Sequence, residues 1–228
     1  MSKVSETVRA NAIFNHDMFN IVVMFAVSAL SATYVVRYTK TENIGTANHI
    51  SDCADDNICH YTFFSLYAIF FVYIIADMLW IYFIPHCVAS KSPVQILFHH
   101  LVTFIMIFNA ILDSHFHWHL AATLLCESNT LFLACRRNTQ RGTILNKISE
   151  ISFYLSWLLF RMISFPLLTY VCFWETFYRL EQYPGEYINI ASIGFVSYVI
   201  LTVLSFGWTF EIFAKNFMAK EGAQTKTQ

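Results

Sequence analysis

Hydrophobic and polar positions along this chain fall in long blocks, not in the short alternations that mark half-buried strands and helices of soluble domains. Uncharged runs at 18–36, 57–76, 92–112 and 187–210 hold 19, 20, 21 and 24 residues. About 20 residues rising 1.5 Å each cross the ~30 Å of bilayer hydrocarbon, so each run is long enough for a membrane helix. Two more segments qualify if each hides one charge: 115–135 with Glu127 and 151–174 with Arg161. The second run continues past Asp77 to Ile84, where Pro85 ends it, and so carries another acid into the membrane. The pattern predicts an all-α, multi-pass membrane helical bundle of six transmembrane helices. Residues 1–17 form a polar N-terminal segment, 18–215 the transmembrane domain and 216–228 a polar tail. Pro166 predicts a kink in the fifth span, and Gly194 and Gly207 predict close helix approach in the sixth.

Composition narrows the class further. The chain is 57% hydrophobic, 18% aromatic and 13% charged, against roughly a quarter charged in a soluble domain. A soluble globular protein is excluded. With a net charge of −1 and 14 Lys and Arg spread along the chain, there is no basic surface to neutralise a row of phosphates, which excludes nucleic acid as a partner. Six spans put both termini on one side with the loops at 85–93 and 136–150, and that side collects ten Lys and Arg against three on the other. Because basic residues are retained in the cytosol, both termini are expected there. Cys53 and Cys59 then face an oxidising lumen, where they could close a short disulfide loop, and the other four cysteines read as buried thiols.

The chemistry rests on ionisable residues inside the spans. A charge in the bilayer core costs roughly 2.5–3.5 kcal/mol on insertion scales, so it is kept for a partner, a wet cavity or a function. Asp77, His99, His100, Glu127 and Arg161 all fall about 8–16 Å from the cytosolic ends of their spans at 1.5 Å per residue. Four helices at similar depth converge if they surround one chamber open to the cytosol. Tyr73 sits one turn from Asp77, Thr103 one turn from His99, and Thr123 and Thr130 flank Glu127 at helical spacing. Adjacent imidazoles suit proton transfer. The alternative is that Asp77 or Glu127 pairs with Arg161 to hold the bundle together.

The order Tyr73-x-x-x-Asp77, Pro85, His99-His100, Glu127-Ser128-Asn129-Thr130, Arg136-Arg137 resembles the TLC domain family, which includes the ceramide synthases and the translocating-chain-associating membrane proteins. The resemblance covers roughly 60–215 and is closest to a small branch whose fourth span carries a Glu followed by Ser and Thr. It implies an endoplasmic reticulum membrane protein acting in lipid homeostasis. In ceramide synthases the paired histidines are associated with moving a fatty acyl group from acyl-CoA to a sphingoid amine. By that resemblance His99, His100 and Glu127 would be catalytic, with membrane lipid or acyl-CoA as partner and substrate and no cofactor. Tyr73, Asp77, Thr130, Arg161, Arg136 and Arg137 would line the substrate site. Those enzymes carry a His-Asp-x-x-Asp segment where this chain reads Cys126-Glu127-Ser128-Asn129-Thr130, so one carboxylate is kept and one is lost. The other readings are a true acyltransferase and a non-catalytic component acting through protein contacts.

The remaining constellations have plainer readings. His115, His117 and His119 alternate beside Trp118 at the lumenal start of the fourth span, an interfacial pattern in which His115 and His119 share a helix face that could hold a metal if a third ligand came from elsewhere. The spaced histidine boxes of a di-iron desaturase are missing, no metal is expected, and His16, His49, His60 and His86 read as interfacial singles. Arg136, Arg137, Arg141 and Lys147 form the densest basic stretch, fit for coenzyme A phosphates or anionic headgroups, or for orientation alone.

Overall fold

Positions three and four apart along the first apolar run share a helix face, and in a computed structural model of the chain that face is turned inward. The structure describes residues 5–41, 57–88, 92–113, 116–182 and 190–224. Helix α1 (Glu6–Thr41) buries Asp17, Asn20, Met24, Val27, Ser31 and Tyr34 in one stripe, while Val22 and Phe25 opposite are 71% and 66% exposed. Large apolar side chains left that open belong against lipid. Helix α2 (Asn57–Phe83) repeats the pattern with Thr62, Leu66, Phe70, Tyr73, Asp77 and Ile81 inward. A 3-10 turn at Pro85–Cys87 follows it, and α3 (Pro93–Leu112) opens with the proline whose missing N–H has no helical acceptor to lose there.

Five helical stretches among the described residues are long and apolar enough to cross a membrane: Glu6–Tyr38, Asn57–Phe83, Pro93–Leu112, Ile144–Tyr178 and Ile190–Glu211. The fourth expected span is not one helix. It is α4 (Phe116–Leu124) and α5 (Ser128–Asn138), joined by a 3-10 turn at Leu125–Glu127. At this break Ser128 Oγ donates to the Leu125 carbonyl at 2.6 Å, and Asn129 Nδ2 ties the start of α5 to α6 (Ile144–Ser156) through the Phe153 carbonyl at 3.0 Å.

The next stretch holds a further irregularity among the described residues. Helix α6 (Ile144–Ser156) passes into a π-helical segment, Trp157–Ser164, and then into α7 (Phe165–Gln182). Pro166 lies just beyond the wide turns. A proline ring strikes the carbonyl four residues back in α geometry, and a π turn before it opens that spacing. In place of the kink expected at Pro166, the structure has a widened helix in the turns just before it. Of the two glycines in α8 (Ile190–Gln224), Gly194 makes the expected close approach: a Cβ there would meet Phe116 Cε1 at 3.0 Å. Gly207 does not, since nothing lies within 4 Å of its missing Cβ.

Packing sets the ends of the bundle in register. Helix α1 has α2 on one flank and α4 and α5 on the other, α3 lies between α2 and α8, and α7 runs along α8. The Trp118 ring is 6.5 Å from that of Tyr38, and Arg137 pairs with Asp17. The broken α4–α5 unit therefore runs antiparallel to α1 from Tyr38 back to Asp17, about 32 Å at 1.5 Å per residue. Cys59, at the start of α2, is disulfide-bonded. Cys53, its expected partner, lies outside the described residues, and Cys87, Cys126, Cys135 and Cys172 are reduced thiols.

Candidate functional site

His99 and His100 are consecutive in the second turn of α3, so their side chains leave the helix about 100° apart and meet different neighbours. Both are buried, with ring centroids 5.6 Å apart. His99 Nε2 lies 3.8 Å from Glu127 Oε1, in ion-pair range but longer than a hydrogen bond. His100 Nδ1 lies 3.3 Å from Asp77 Oδ2, without the alignment of a hydrogen bond. Each imidazole thus faces a carboxylate from a different part of the chain. Nδ1 of both is buried with no hydrogen-bond partner. Thr103 Oγ1 donates to the His99 carbonyl at 2.9 Å, which ties down the turn that carries the pair.

Asp77 also ends a chain of hydrogen bonds that comes from α1. Tyr73 O–H donates to Asn20 Oδ1 at 2.9 Å, and Asn20 Nδ2 is 3.2 Å from His16 Nδ1. An amide N–H can only donate, so His16 Nδ1 accepts and its proton sits on Nε2. That nitrogen is 2.6 Å from Asp77 Oδ1. His16 is therefore not the interfacial single that its sequence position suggests; it is 5% exposed and holds Asp77 in place. Burial, followed by the charge of Asp77, pushes the nearby Cys87 thiol up to about 11.

The second acid sits at the helix break. Glu127 ends the 3-10 turn, and Thr130 Oγ1 donates to its Oε2 at 3.0 Å. Thr123, expected on the same face, is engaged elsewhere: its hydroxyl is 2.6 Å from that of Tyr198.

The arginines are placed in three different settings. Arg136 pairs with Glu150 at 2.8 Å and covers the rings of Phe153 and Tyr154 at 5.8 and 5.5 Å. Arg137 donates from Nε to Asp17 Oδ2 at 3.1 Å and from Nη2 to Oδ1, and Asn138 Nδ2 adds a bond to Oδ2 at 2.9 Å. Arg161, in the π segment, lies over the faces of Trp157 and Trp208 at 5.5 and 5.1 Å. Among the described residues it forms no ion pair, so neither Asp77 nor Glu127 is its partner. Trp208 also meets His99, ring to ring at 5.3 Å, and so stands between the imidazole and the guanidinium.

His16, Asp17, Asn20 and Trp208 belong to this cluster, and sequence reasoning did not select them. The signal for the first three is the 3–4 spacing that links them to Met24, Val27, Ser31 and Tyr34. For Trp208 no signal short of the fold exists. The opposite end of the bundle has its own polar set. There His119 Nε2 is 2.8 Å from Glu175 Oε2, and His117 stacks on Phe63 at 3.7 Å. Asn109, His119, Gly194 and Tyr198 help line a cavity of about 10 Å³, room for one water.

These features define a multi-pass helical membrane protein with buried imidazoles and carboxylates gathered at one end of its bundle. The chain belongs to the TLC domain family, whose model matches residues 14–214. The match takes in the α1 residues His16, Asp17 and Asn20 as well as α2, α3 and the broken helix. No curated protein and no solved structure matches the chain.

Proposed function

We propose that this end of the bundle holds the polar head of a long-chain lipid or acyl donor, and that the protein contributes in this way to membrane lipid homeostasis. One observation carries the reading: two adjacent buried imidazoles, each facing a separate carboxylate, with neither Nδ1 in a hydrogen bond. Buried polar atoms normally find partners, and a bound head group would supply them. His99, His100 and Glu127 would act on that head, while Asp77, Tyr73, Thr130 and Arg161 hold and orient it. Arg136 and Arg137 would meet phosphates of acyl-CoA only by exchanging Glu150 and Asp17 for them. A second reading, transfer of the acyl group to an amine, draws on the His99–Glu127 pair. An imidazole oriented by a carboxylate can take the amine proton as nitrogen attacks the thioester carbonyl and the coenzyme A thiolate leaves.

The topology that suits this reading has six crossings, both termini in the cytosol and the endoplasmic reticulum as the membrane. Three features support it: α4–α5 runs the length of α1, basic residues collect at the end bearing the histidines, and the disulfide at Cys59 belongs to the other end, as an oxidising lumen allows.

Protein purified in mild detergent is expected to carry a lipid or acyl species identifiable by mass spectrometry, and His99→Ala with His100→Ala to lose it. Retention of that species by the double variant would remove the reading. Release of free coenzyme A from acyl-CoA on adding an amine acceptor would establish transfer, and its absence across a broad acceptor panel would leave binding alone.

A further inference from the structure

Arg161 is 6% exposed, and two of its guanidinium nitrogens, Nε and Nη1, are buried with no hydrogen-bond partner. Two indoles face it, and Glu127 acts on it through charge at a distance without forming an ion pair. Trp157 and Trp208 present their faces to it, which steadies a cation without supplying the in-plane acceptors that its N–H groups need. The local acids have other engagements: Asp77 with His16 and His100, Glu127 with Thr130 and His99. Trp157 Nε1 donates to Thr209 Oγ1 at 3.0 Å, so that ring is held by the protein and its N–H is taken. Cys126, another near neighbour of this segment, spends its thiol proton on the Phe160 carbonyl at 3.5 Å. The protein thus holds a guanidinium between two indoles and leaves two of its buried N–H groups without an acceptor.

We propose that Arg161 is the receptor for an oxyanion, a carboxylate or a phosphate, on the lipid held at this end of the bundle. This rests on the lipid-holding reading above and specifies the chemistry of its ligand. The planar fork of N–H donors matches two oxygens of either group, which a single-point cation would not. Trp208 touches both the guanidinium and the His99 ring, so an oxyanion seated on Arg161 lies one indole away from the imidazole pair. The π segment is what brings the side chain there. Its wide turns displace Arg161 from the α register that α6 would otherwise continue.

The test uses the full chain, purified in mild detergent and stripped of lipid, with binding read by native mass spectrometry. The probes are oleate and dioleoyl phosphatidate, each set against a neutral ligand with the same tails, oleamide and dioleoylglycerol. Wild type should bind at least one anionic probe about tenfold or more tighter than its neutral match, as a charge-assisted pair in a buried site requires. Which of the two gains more tells carboxylate from phosphate. Arg161→Met should bring the ratio to about one while neutral binding persists, and Arg161→Lys should recover part of it. The wild-type comparison stands alone if a variant fails to fold. Equal binding of anionic and neutral probes by wild type overturns the assignment and leaves the lipid-holding reading intact. Failure of every probe to bind overturns both, and a preference that survives in Arg161→Met overturns the role of this residue.

Discussion

Arg137 can be read as a phosphate ligand or as the pin that joins α5 to α1, and one substitution separates the two. In Arg137→Gln the Asp17 carboxylate, whose side chain is 2% exposed, loses both guanidinium bonds and keeps only Asn138. Breaking a fully buried pair costs about 3–5 kcal/mol, and an exposed one about 0.2–1 kcal/mol. The acid here is sealed, but the arginine side chain is 34% exposed, which lets water screen its side of the pair. The loss should therefore fall between those limits, near 2–3 kcal/mol. For a chain of this size that is roughly a 4–12 °C fall in midpoint at about 2–4 °C per kcal/mol. Thermal unfolding in detergent reads it, and the partner test is Asp17→Asn in the Arg137→Gln background. Removing the stranded carboxylate should restore most of the loss, because what costs is the uncompensated charge and not the missing arginine. An Arg137→Gln midpoint within about 1 °C of wild type, together with weakened acyl-CoA binding, would refute the pin and favour the phosphate role.

Two further outcomes follow from packing and from burial. Gly194→Ala places a methyl 3.0 Å from a ring carbon of Phe116 and 3.5 Å from Asn109 Nδ2, and should cost about 1–3 kcal/mol in thermal unfolding. Gly207→Ala, with nothing within 4 Å, should be neutral or gain up to ~1 kcal/mol of helix propensity, and equal losses at both sites would contradict the packing described. Raised from 9.0 to about 11, the Cys87 thiol carries about a hundredfold less thiolate at neutral pH than an ordinary cysteine. Maleimide mapped by mass spectrometry should label it slowly at pH 7 and faster as pH rises towards 10. Rapid labelling of the folded chain at pH 7 would show that Cys87 is not sealed.

The spans with lipid on one face and protein on the other were legible because they need only length and apolar character. Asp77, the histidine pair and Glu127 were legible because an ionisable residue in an apolar run is conspicuous. His16 and Asp17 were not, since polar residues at the mouth of a span look like a headgroup flank. Their meaning depends on partners 61 and 120 residues away along the chain. The helix break at Leu125–Glu127 escaped for another reason. Ser128 and Asn129 are compatible with a membrane helix, and the carbonyls they reach, on Leu125 and Phe153, are known only from the fold. Arg136 and Arg137 were visible as basic residues, but Glu150 and Asp17 as their partners are facts of the fold.

The α1 stripe also bears on how the chain is made. The first helix leaves the ribosome with its imidazole and its acid already in it, long before anything can answer them. Asp77 follows His16 by 61 positions, and Arg137 follows Asp17 by 120. At about 5–20 residues per second, the second interval lasts roughly 6–24 s. During that time Asp17 has none of the Arg137 bonds that answer its charge in the finished fold, and the start of the helix gains them only when α5 is made.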